Sequence, residues 1–397
     1  MNGPKHHPDS CIACTSCVAH CPVAAAAREF GGPKMTGPML ERFRRFQPGE
    51  DEAAIYCSNC KNCDITCPSG VSISTMNLLA KKEYYQAHGR SLRDWLLSHG
   101  ETMAKLGSPV ALLTNWGMAN PLSRMVLKKI GLADKMPLPR YAAKTFRRRF
   151  KGLRQQPCSD KVVFFPGCFI NYNEPQVGLD FVAVMQANGF EVIVPEGLTC
   201  CGSPLVVNGY LEEAQSNAEN NIRRLKHWVD QGYPVITCCT SCGLMLKQEY
   251  QELFCVDGTR EVAARLYDAA EFLVELHEQG QLNTVFSSRN EKFLYHPPCH
   301  LRAQGIGRPS LHLLRLLPGI EITDADAGCC GVAGNYGFKD DKYEVAMAIG
   351  STLFHKIQCS DVEAVVSDCG TCRLQIKQAT GVKTIHPMAV VRHAYDG

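Results

Sequence analysis

The chain has 397 residues, 45% hydrophobic and 20% charged, with a formal net charge of +3; at about 150 residues per domain this means two or three domains with ample core and excludes a peptide-like scaffold or a long disordered tail. No stretch approaches the ~18 uninterrupted apolar residues of a membrane-spanning helix, and residues 1–10 are polar rather than a signal peptide, so the expected protein is cytoplasmic and crosses no bilayer. Its 22 cysteines sit in a chain too long to need disulfide stapling, so their spacing has to explain them.

The first group runs Cys11-x2-Cys14-x2-Cys17-x3-Cys21-Pro22 and the second Cys57-x2-Cys60-x2-Cys63-x3-Cys67-Pro68. This is the bacterial ferredoxin run, in which three thiolates wrap one iron–sulfur cube and the fourth, beside a proline turn, ligates the other. The expected ligand sets are Cys11, Cys14, Cys17 and Cys67 for one [4Fe–4S] cluster, and Cys57, Cys60, Cys63 and Cys21 for the second. Two zinc ribbons are the alternative, but they explain neither the x3 spacing nor the trailing proline. Between the runs, Gly31-Gly32-Pro33-Lys34 and Gly37-Pro38 predict a loop-forming insertion in a helical, ferredoxin-like domain over residues 1–90. Beyond Cys67, Met76, Leu79, Ala80 and Tyr84 recur at near-helical spacing, which predicts a packing helix over 72–88.

Residues 91–157 read as a basic and apolar linker. Trp95, Leu96, Leu97, Val110, Leu112, Leu113, Trp116 and Met118 come first; residues 123–154 then carry eleven basic side chains against Asp134 alone. That segment is +10, which leaves −7 for the rest of the chain. Interfacial tryptophans beside a cationic stretch suit a peripheral helix, at about 1 kcal/mol per basic residue near anionic lipid. The expectation is that residues 91–154 lie on a membrane surface; a solvated linker or a docking face for an acidic partner stays open. Nucleic acid is not the expected partner, because the aromatics do not interleave with the basic residues as a stacking platform requires.

A larger pattern follows. Cys168, Cys200-Cys201-Gly202 and Cys239-x2-Cys242 recur as Cys299, Cys329-Cys330-Gly331 and Cys369-x2-Cys372, at offsets of 131, 129 and 130 residues. Such constancy predicts a duplication, with a first cysteine-rich domain over 158–285 and a second over 286–397. Residues 162–165 and 293–295 read as short buried strands ending at Cys168 and Cys299, and residues 212–229 and 343–356 read as helices, so each half is a parallel-sheet α/β unit. Each Cys-x2-Cys pair sits at a strand-to-helix turn, where backbone N–H groups and the helix dipole favour thiolate. Five thiolates per half exceed the four of zinc, which favours an iron–sulfur cluster in each pentad; zinc or redox-active thiols stay open. The fold class is therefore multidomain, α+β and α/β: a helical ferredoxin-like domain ahead of a tandem α/β cysteine-rich domain. Cys158, Cys238, Cys255 and Cys359 stand outside the motifs and read as buried hydrophobes or surface thiols. His296, His300 and His386 lie near strand ends of the second repeat and read as structural, or as tuning a cluster through hydrogen bonds.

No strand-bound G-x-G-x-x-G, phosphate loop or nucleophile elbow is present; Gly331-x2-Gly334-x2-Gly337 lacks the dinucleotide context. A flavin or nicotinamide is expected on another chain, and no catalytic residue is assigned to this one. Two ferredoxin runs ahead of two Cys-Cys-Gly domains resemble heterodisulfide-reductase-like subunits, the iron–sulfur subunit of glycolate oxidase and, most closely, the family formed by the iron–sulfur (C) subunits of anaerobic glycerol-3-phosphate dehydrogenase. The resemblance is carried by Cys11-Ile12-x-Cys14, 31–37, Ser91-Leu92-Arg93, Phe146-Arg147-Arg148, Gly167-Cys168-Phe169-Ile170-Asn171-Tyr172-Asn173 and Gly334-Asn335-Tyr336-Gly337-Phe338-Lys339. It implies an electron-transfer subunit, peripheral on the cytoplasmic face of the inner membrane, that passes electrons from flavin-bearing A and B subunits to menaquinone. It also implies noncubane clusters at Cys168, Cys200, Cys201, Cys239 and Cys242 and at Cys299, Cys329, Cys330, Cys369 and Cys372. Two other functions stay open: disulfide reduction at a pentad by the chain itself, and service as the iron–sulfur subunit of a glycolate or lactate oxidase.

Overall fold

The computed structural model describes residues 7–44 and 46–396; most of the polar start, residues 1–10, lies outside them. Among the described residues eight strands form two sheets. β1 (Asp160–Phe164), β2 (Phe190–Ile193), β3 (Val235–Thr237) and β4 (Leu266–Asp268) lie in the order β2-β1-β3-β4. β5 (Glu291–Tyr295), β6 (Ile320–Asp324), β7 (Ala364–Val366) and β8 (Thr384–Ile385) lie in the order β6-β5-β7-β8. Every pairing is parallel, and the order is the same twice, so the repeat in the sequence is a repeat in topology. β3 and β7 are buried throughout, as expected where helices cover both faces of a parallel sheet. The order turns around between β1 and β3, and between β5 and β7, which opens a crevice at the carboxyl ends of the strands. Cys168 and Cys299 follow the ends of β1 and β5.

The two repeats share a core. Phe164, Phe181, Met185 and Ile236 of the first belong to one apolar cluster with Tyr295, Leu313, Val366 and Val391 of the second. The predicted helices are present as Leu211–Val229 and Asp340–Gln358.

The N-terminal part is helical, and its packing helix is Ile73–His88. Met76 and Ala80 are buried there and Leu79 is half-buried against the core of the first repeat, but it is Leu78 and Tyr85, not Tyr84, that turn fully inward. The Gly/Pro stretch is not the loop expected. Residues 33–44 are helical, with a π-helical turn at Met35–Met39 that takes Pro38 and a kink at Gly37. Thr36, Gly37 and Pro38 are buried against the packing helix, and a Cβ on Gly37 would sit 3.0 Å from Ile73 Cγ2 and from Asn77 Oδ1. Close approach to a neighbouring helix, rather than a turn, is what that glycine allows.

Residues 91–157 are more than a linker. Leu132 bridges Lys339 as an antiparallel pair, and Ala133, Met136 and Phe146 are buried in the cores of the repeats. Asp94 and Lys339 form a buried ion pair at 2.7 Å. Two of the basic residues point inward: Arg124 donates to the carbonyls of Ala133 and Met136, and Arg147 to those of Pro195 and Leu198. The apolar residues do the opposite: Leu106, Val110, Leu112, Leu113, Trp116, Leu122, Met125 and Val126 are exposed on neighbouring helices. Among the described residues no helix is long and apolar enough to cross a membrane.

Candidate cluster sites

The two ferredoxin-like loops are built alike. Ala13 and Thr15 in the first, and Asn59 and Lys61 in the second, hold φ between 54° and 64°, a left-handed conformation that side chains adopt at a cost. The same two positions after the leading cysteine curl the backbone in each loop. Each loop then enters a short helix, Ser16–Ala19 or Asn62–Ile65, that carries the third cysteine. Burial raises Cys17, and the thiols that add to it are Cys11, Cys14 and Cys67. Burial raises Cys21 to about 11, and among the charges that add to it the nearer group is Cys57. Cys21, Cys57, Cys60 and Cys63 all border one small cavity.

That cavity passes a test of fit for a cluster with bridging sulfides. Asn77 also borders it, fully buried, with neither its amide nitrogen nor its amide oxygen satisfied within the chain. An unmet buried donor beside four thiols suits an anionic sulfur acceptor. Two backbone amides already point at fourth-cysteine sulfurs: Ala24 N–H at Cys21 Sγ, 3.5 Å, and Val71 N–H at Cys67 Sγ, 3.4 Å.

Each pentad forms a continuous run of sulfurs. In the first repeat Cys168 and Cys200 are 3.6 Å apart, and the contacts continue through Cys201 and Cys242 to Cys239. The second repeat runs Cys299, Cys329, Cys330, Cys372, Cys369 in the same order. Contact with Cys168 holds the Cys200 thiol well below the usual range, and Cys299 does the same for Cys329. Contact with Cys242 lowers Cys239, and contact with Cys372 lowers Cys369 to about 6. Each half therefore presents two thiols that favour the anionic form, at equivalent positions. The backbone helps: Gly202 N–H points at Cys200 Sγ, 3.5 Å, and Gly331 N–H at Cys329 Sγ, 3.3 Å. Five converging sulfurs, two of them poised as thiolates, form a donor set that iron–sulfur or zinc chemistry can use.

The halves differ at one place. A ring nitrogen of His296 and the sulfurs of Cys330 and Cys372 all lie within 4.8 Å of one another, and His296 Nδ1 has no hydrogen-bond partner. The corresponding position before Cys168 is Phe165. His300 and His386 are struts. His300 donates from Nε2 to the Asn59 carbonyl, 3.0 Å, and pairs through Nδ1 with the Ser241 hydroxyl, 2.9 Å. His386 donates to the Cys238 carbonyl, 3.0 Å, and accepts from Met388 N–H, 3.1 Å, as a helix N-cap. Of the four remaining cysteines, Cys238 is buried, Cys158 is half-buried, and Cys255 and Cys359 are exposed.

Spacing alone did not reveal how the groups sit relative to one another. The second ferredoxin-like group faces the second repeat: after burial, the main influence raising Cys60 is Cys329, and Cys60 in turn acts on Cys299. The second repeat faces the first, where Cys369 acts on Cys239. Helix contacts agree, since Arg302 beside Cys299 donates to Asn62, 3.4 Å, and Gln304 donates to the Thr240 carbonyl, 3.1 Å. The ferredoxin-like loop is also locked to the first repeat: Glu249, buried, pairs with Lys61 at 2.9 Å and accepts from Asn59 Nδ2 at 2.9 Å.

Residues 8–71 match the family model of the 4Fe-4S dicluster domain, and residues 162–247 and 293–377 each match that of the Cysteine-rich domain. Over 392 residues the chain is 36% identical to the C subunit of anaerobic glycerol-3-phosphate dehydrogenase from Escherichia coli strain K12, covering 97% of this chain and 98% of that one. It is 29% identical over 381 residues to the B subunit of fumarate reductase (CoM/CoB) from Methanothermobacter marburgensis, covering 93% and 67% of the two chains. With lactate utilization protein A 2 of Bacillus cereus it shares 33% identity over 187 residues, 45% of this chain and 74% of that one.

Proposed function

We propose that this chain, which belongs to the family of anaerobic glycerol-3-phosphate dehydrogenase C subunits, serves as the electron-transfer and membrane-anchoring subunit of such a complex, carrying electrons from flavin-bearing A and B subunits to menaquinone. The observation that carries this reading is the unbroken succession of thiol groups, from Cys17 through Cys21 and Cys60 to Cys329, and from Cys369 to Cys239. A chain that binds one substrate at one site needs no such succession; a conductor does.

Two [4Fe–4S] clusters would be held by Cys11, Cys14, Cys17 and Cys67, and by Cys57, Cys60, Cys63 and Cys21. Further clusters, or zinc, would be held by Cys168, Cys200, Cys201, Cys239 and Cys242 and by Cys299, Cys329, Cys330, Cys369 and Cys372, in repeats spanning 158–285 and 286–397. Bound there, iron–sulfur clusters supply one-electron redox chemistry. The chain's own part is to exclude water and fix the thiols. Cys17, Cys60, Cys201, Cys242, Cys330 and Cys372 are all buried, and His300 and Glu249 tie the second ferredoxin-like loop in place. Residues 91–157 would supply the anchor: exposed leucines and Trp116 on the helices Gly100–Gly107 and Ala111–Ala119 form an apolar face of the kind that seats on the cytoplasmic side of the inner membrane.

The test is purification without oxygen, with iron, sulfide and zinc analysis and electron paramagnetic resonance. More than eight irons per chain are expected, against about eight irons and two zincs if the pentads bind zinc. Cys14→Ser should remove one cubane signal and uncouple dye-linked dehydrogenation from quinone reduction in the assembled complex. Unaltered quinone reduction in that variant overturns the relay.

A further inference from the structure

Between the helices Leu92–Ser98, Gly100–Gly107, Ala111–Ala119 and Pro121–Lys129 and the cysteine-rich repeats lies a cavity of about 800 Å³. That is within the roughly 300–1,000 Å³ of small-molecule sites. At one end its wall includes Leu106 and Val126, which are 68% and 61% exposed and continue into the exposed apolar face. At the other it includes Cys201 and Cys242, each 3% exposed, with Cys168 and Cys239 beside them. Between the ends the wall is chiefly aliphatic, as at Leu96, Met103, Leu127 and Leu138.

One polar group in that wall is held ready for a ligand. Tyr141 lines the cavity together with Cys168. Its backbone is clamped by Asn115, which donates from Nδ2 to the Tyr141 carbonyl and accepts from the Tyr141 N–H, both at 2.8 Å. Among the described residues its hydroxyl has no hydrogen-bond partner. A phenol with a fixed backbone, bordering an apolar space, is a donor for a carbonyl oxygen.

We propose that this cavity is a binding site for an isoprenoid quinone, with the ring beside Tyr141 at the first pentad and the tail leaving between Leu106 and Val126. The inference rests on the reading of this chain as the one that serves a quinone. The ligand class follows from three features together: an aliphatic tunnel suits an isoprenoid tail, its mouth lies in the exposed apolar face, and its inner end combines a carbonyl-directed donor with thiols of the electron-carrying sites. A compact polar substrate matches only the last. Reduction consumes two electrons, which come from the reduced flavin of the substrate-oxidising partner, and two protons, which come from water; the quinone leaves as quinol. Tyr141 lends a hydrogen bond to a ring carbonyl and is a positioning residue. The first pentad is then the exit of the thiol succession, and the ferredoxin-like groups face its entry.

The test uses the full chain purified without oxygen and a photoreactive azido-naphthoquinone bearing a short isoprenoid tail. Labelling is expected on peptides containing Met103, Met118 or Tyr141, competed by unlabelled menaquinone analogue. Gly100 and Gly117 both line the cavity, and a Cβ on either meets open space. Gly100→Trp and Gly117→Trp should therefore fill the tunnel and weaken binding at least ~10-fold, whereas Thr102→Trp, on the exposed side of the same helix as Gly100, should not. Tyr141→Phe should weaken binding roughly two- to tenfold, the effect of one hydrogen bond. Saturable binding that is equal in wild type and all cavity variants, or labelling confined to other peptides, overturns this site and leaves the quinone reading intact. Absence of saturable quinone binding to the wild-type chain overturns both.

Discussion

The two Cys-Cys-Gly turns are identical in sequence and unequal in space, and that inequality yields a quantitative prediction. Gly202 and Gly331 both hold left-handed φ, +86° and +89°, so alanine at either incurs about 1–2 kcal/mol of backbone strain. At Gly202 the added Cβ would lie 3.2 Å from Ala214 Cβ, a contact that small shifts relieve. At Gly331 it would lie 1.9 Å from the Ala346 carbonyl oxygen and 2.8 Å from its carbon. The helix Asp340–Gln358 would have to retreat by about 1 Å, which adds the 1–3 kcal/mol typical of an overpacked core. Gly202→Ala should therefore lose about 1–2 kcal/mol and Gly331→Ala about 2–5 kcal/mol. Because Cys330 precedes the glycine, Gly331→Ala should also loosen the second pentad while the ferredoxin-like sites persist. Denaturant unfolding of the anaerobically purified variants, read beside iron content and paramagnetic resonance, measures both effects. Equal losses in the two variants would refute the reasoning, since only the neighbour at Ala346 separates them.

Glu249→Ala leaves the Lys61 ammonium, which is 5% exposed, with Asp64 alone at 3.8 Å; the loss should therefore be at or below the roughly 3–5 kcal/mol of a wholly unpaired buried ion. Limited proteolysis should then cut the ferredoxin-like loop faster, and Glu249→Gln, which keeps an acceptor for Asn59, should be milder. Asp268 provides a pH test. Burial, and then the charge of Asp368, push its carboxyl up to about 8. The folded chain thus keeps a proton that the unfolded chain releases above about 4, so this carboxyl's contribution to stability is full below that pH and is lost as pH rises towards 8. Asp268→Asn, which retains the N-cap bond to Ala270 N–H, should flatten the fall in thermal midpoint between about pH 5 and pH 8 with little gain at pH 5; parallel profiles would show that the folded carboxyl holds no such proton. For the anchor, Leu112, Leu113 and Trp116 are 89%, 66% and 64% exposed. Replacing all three with Glu should lower co-sedimentation with anionic vesicles by roughly 100-fold or more, at about 1.5–3 kcal/mol per buried side chain; unchanged binding would remove these helices from the interface.

Sequence by itself determined what short-range rules encode. The x2, x2, x3 runs dictated two loops with the same left-handed positions, and the constant offsets near 130 residues dictated two sheets of one topology. Short apolar runs and helical patterns located β1, β5 and the long helices to within a few residues, because such patterns report which parts of an element are buried. Residues 33–44 escaped that logic: glycine and proline signal a turn locally, yet burial against Ile73 and Asn77 made a π-helical turn of them. Only tertiary structure decided the facing of Cys60 on Cys329 and of Cys369 on Cys239, the roles of His300 and His386 as struts, the inward turn of Arg124 and Arg147, and the cavity reaching Tyr141. Each of these joins residues far apart in the chain, and such contacts depend on how whole elements pack, which no spacing within one segment records.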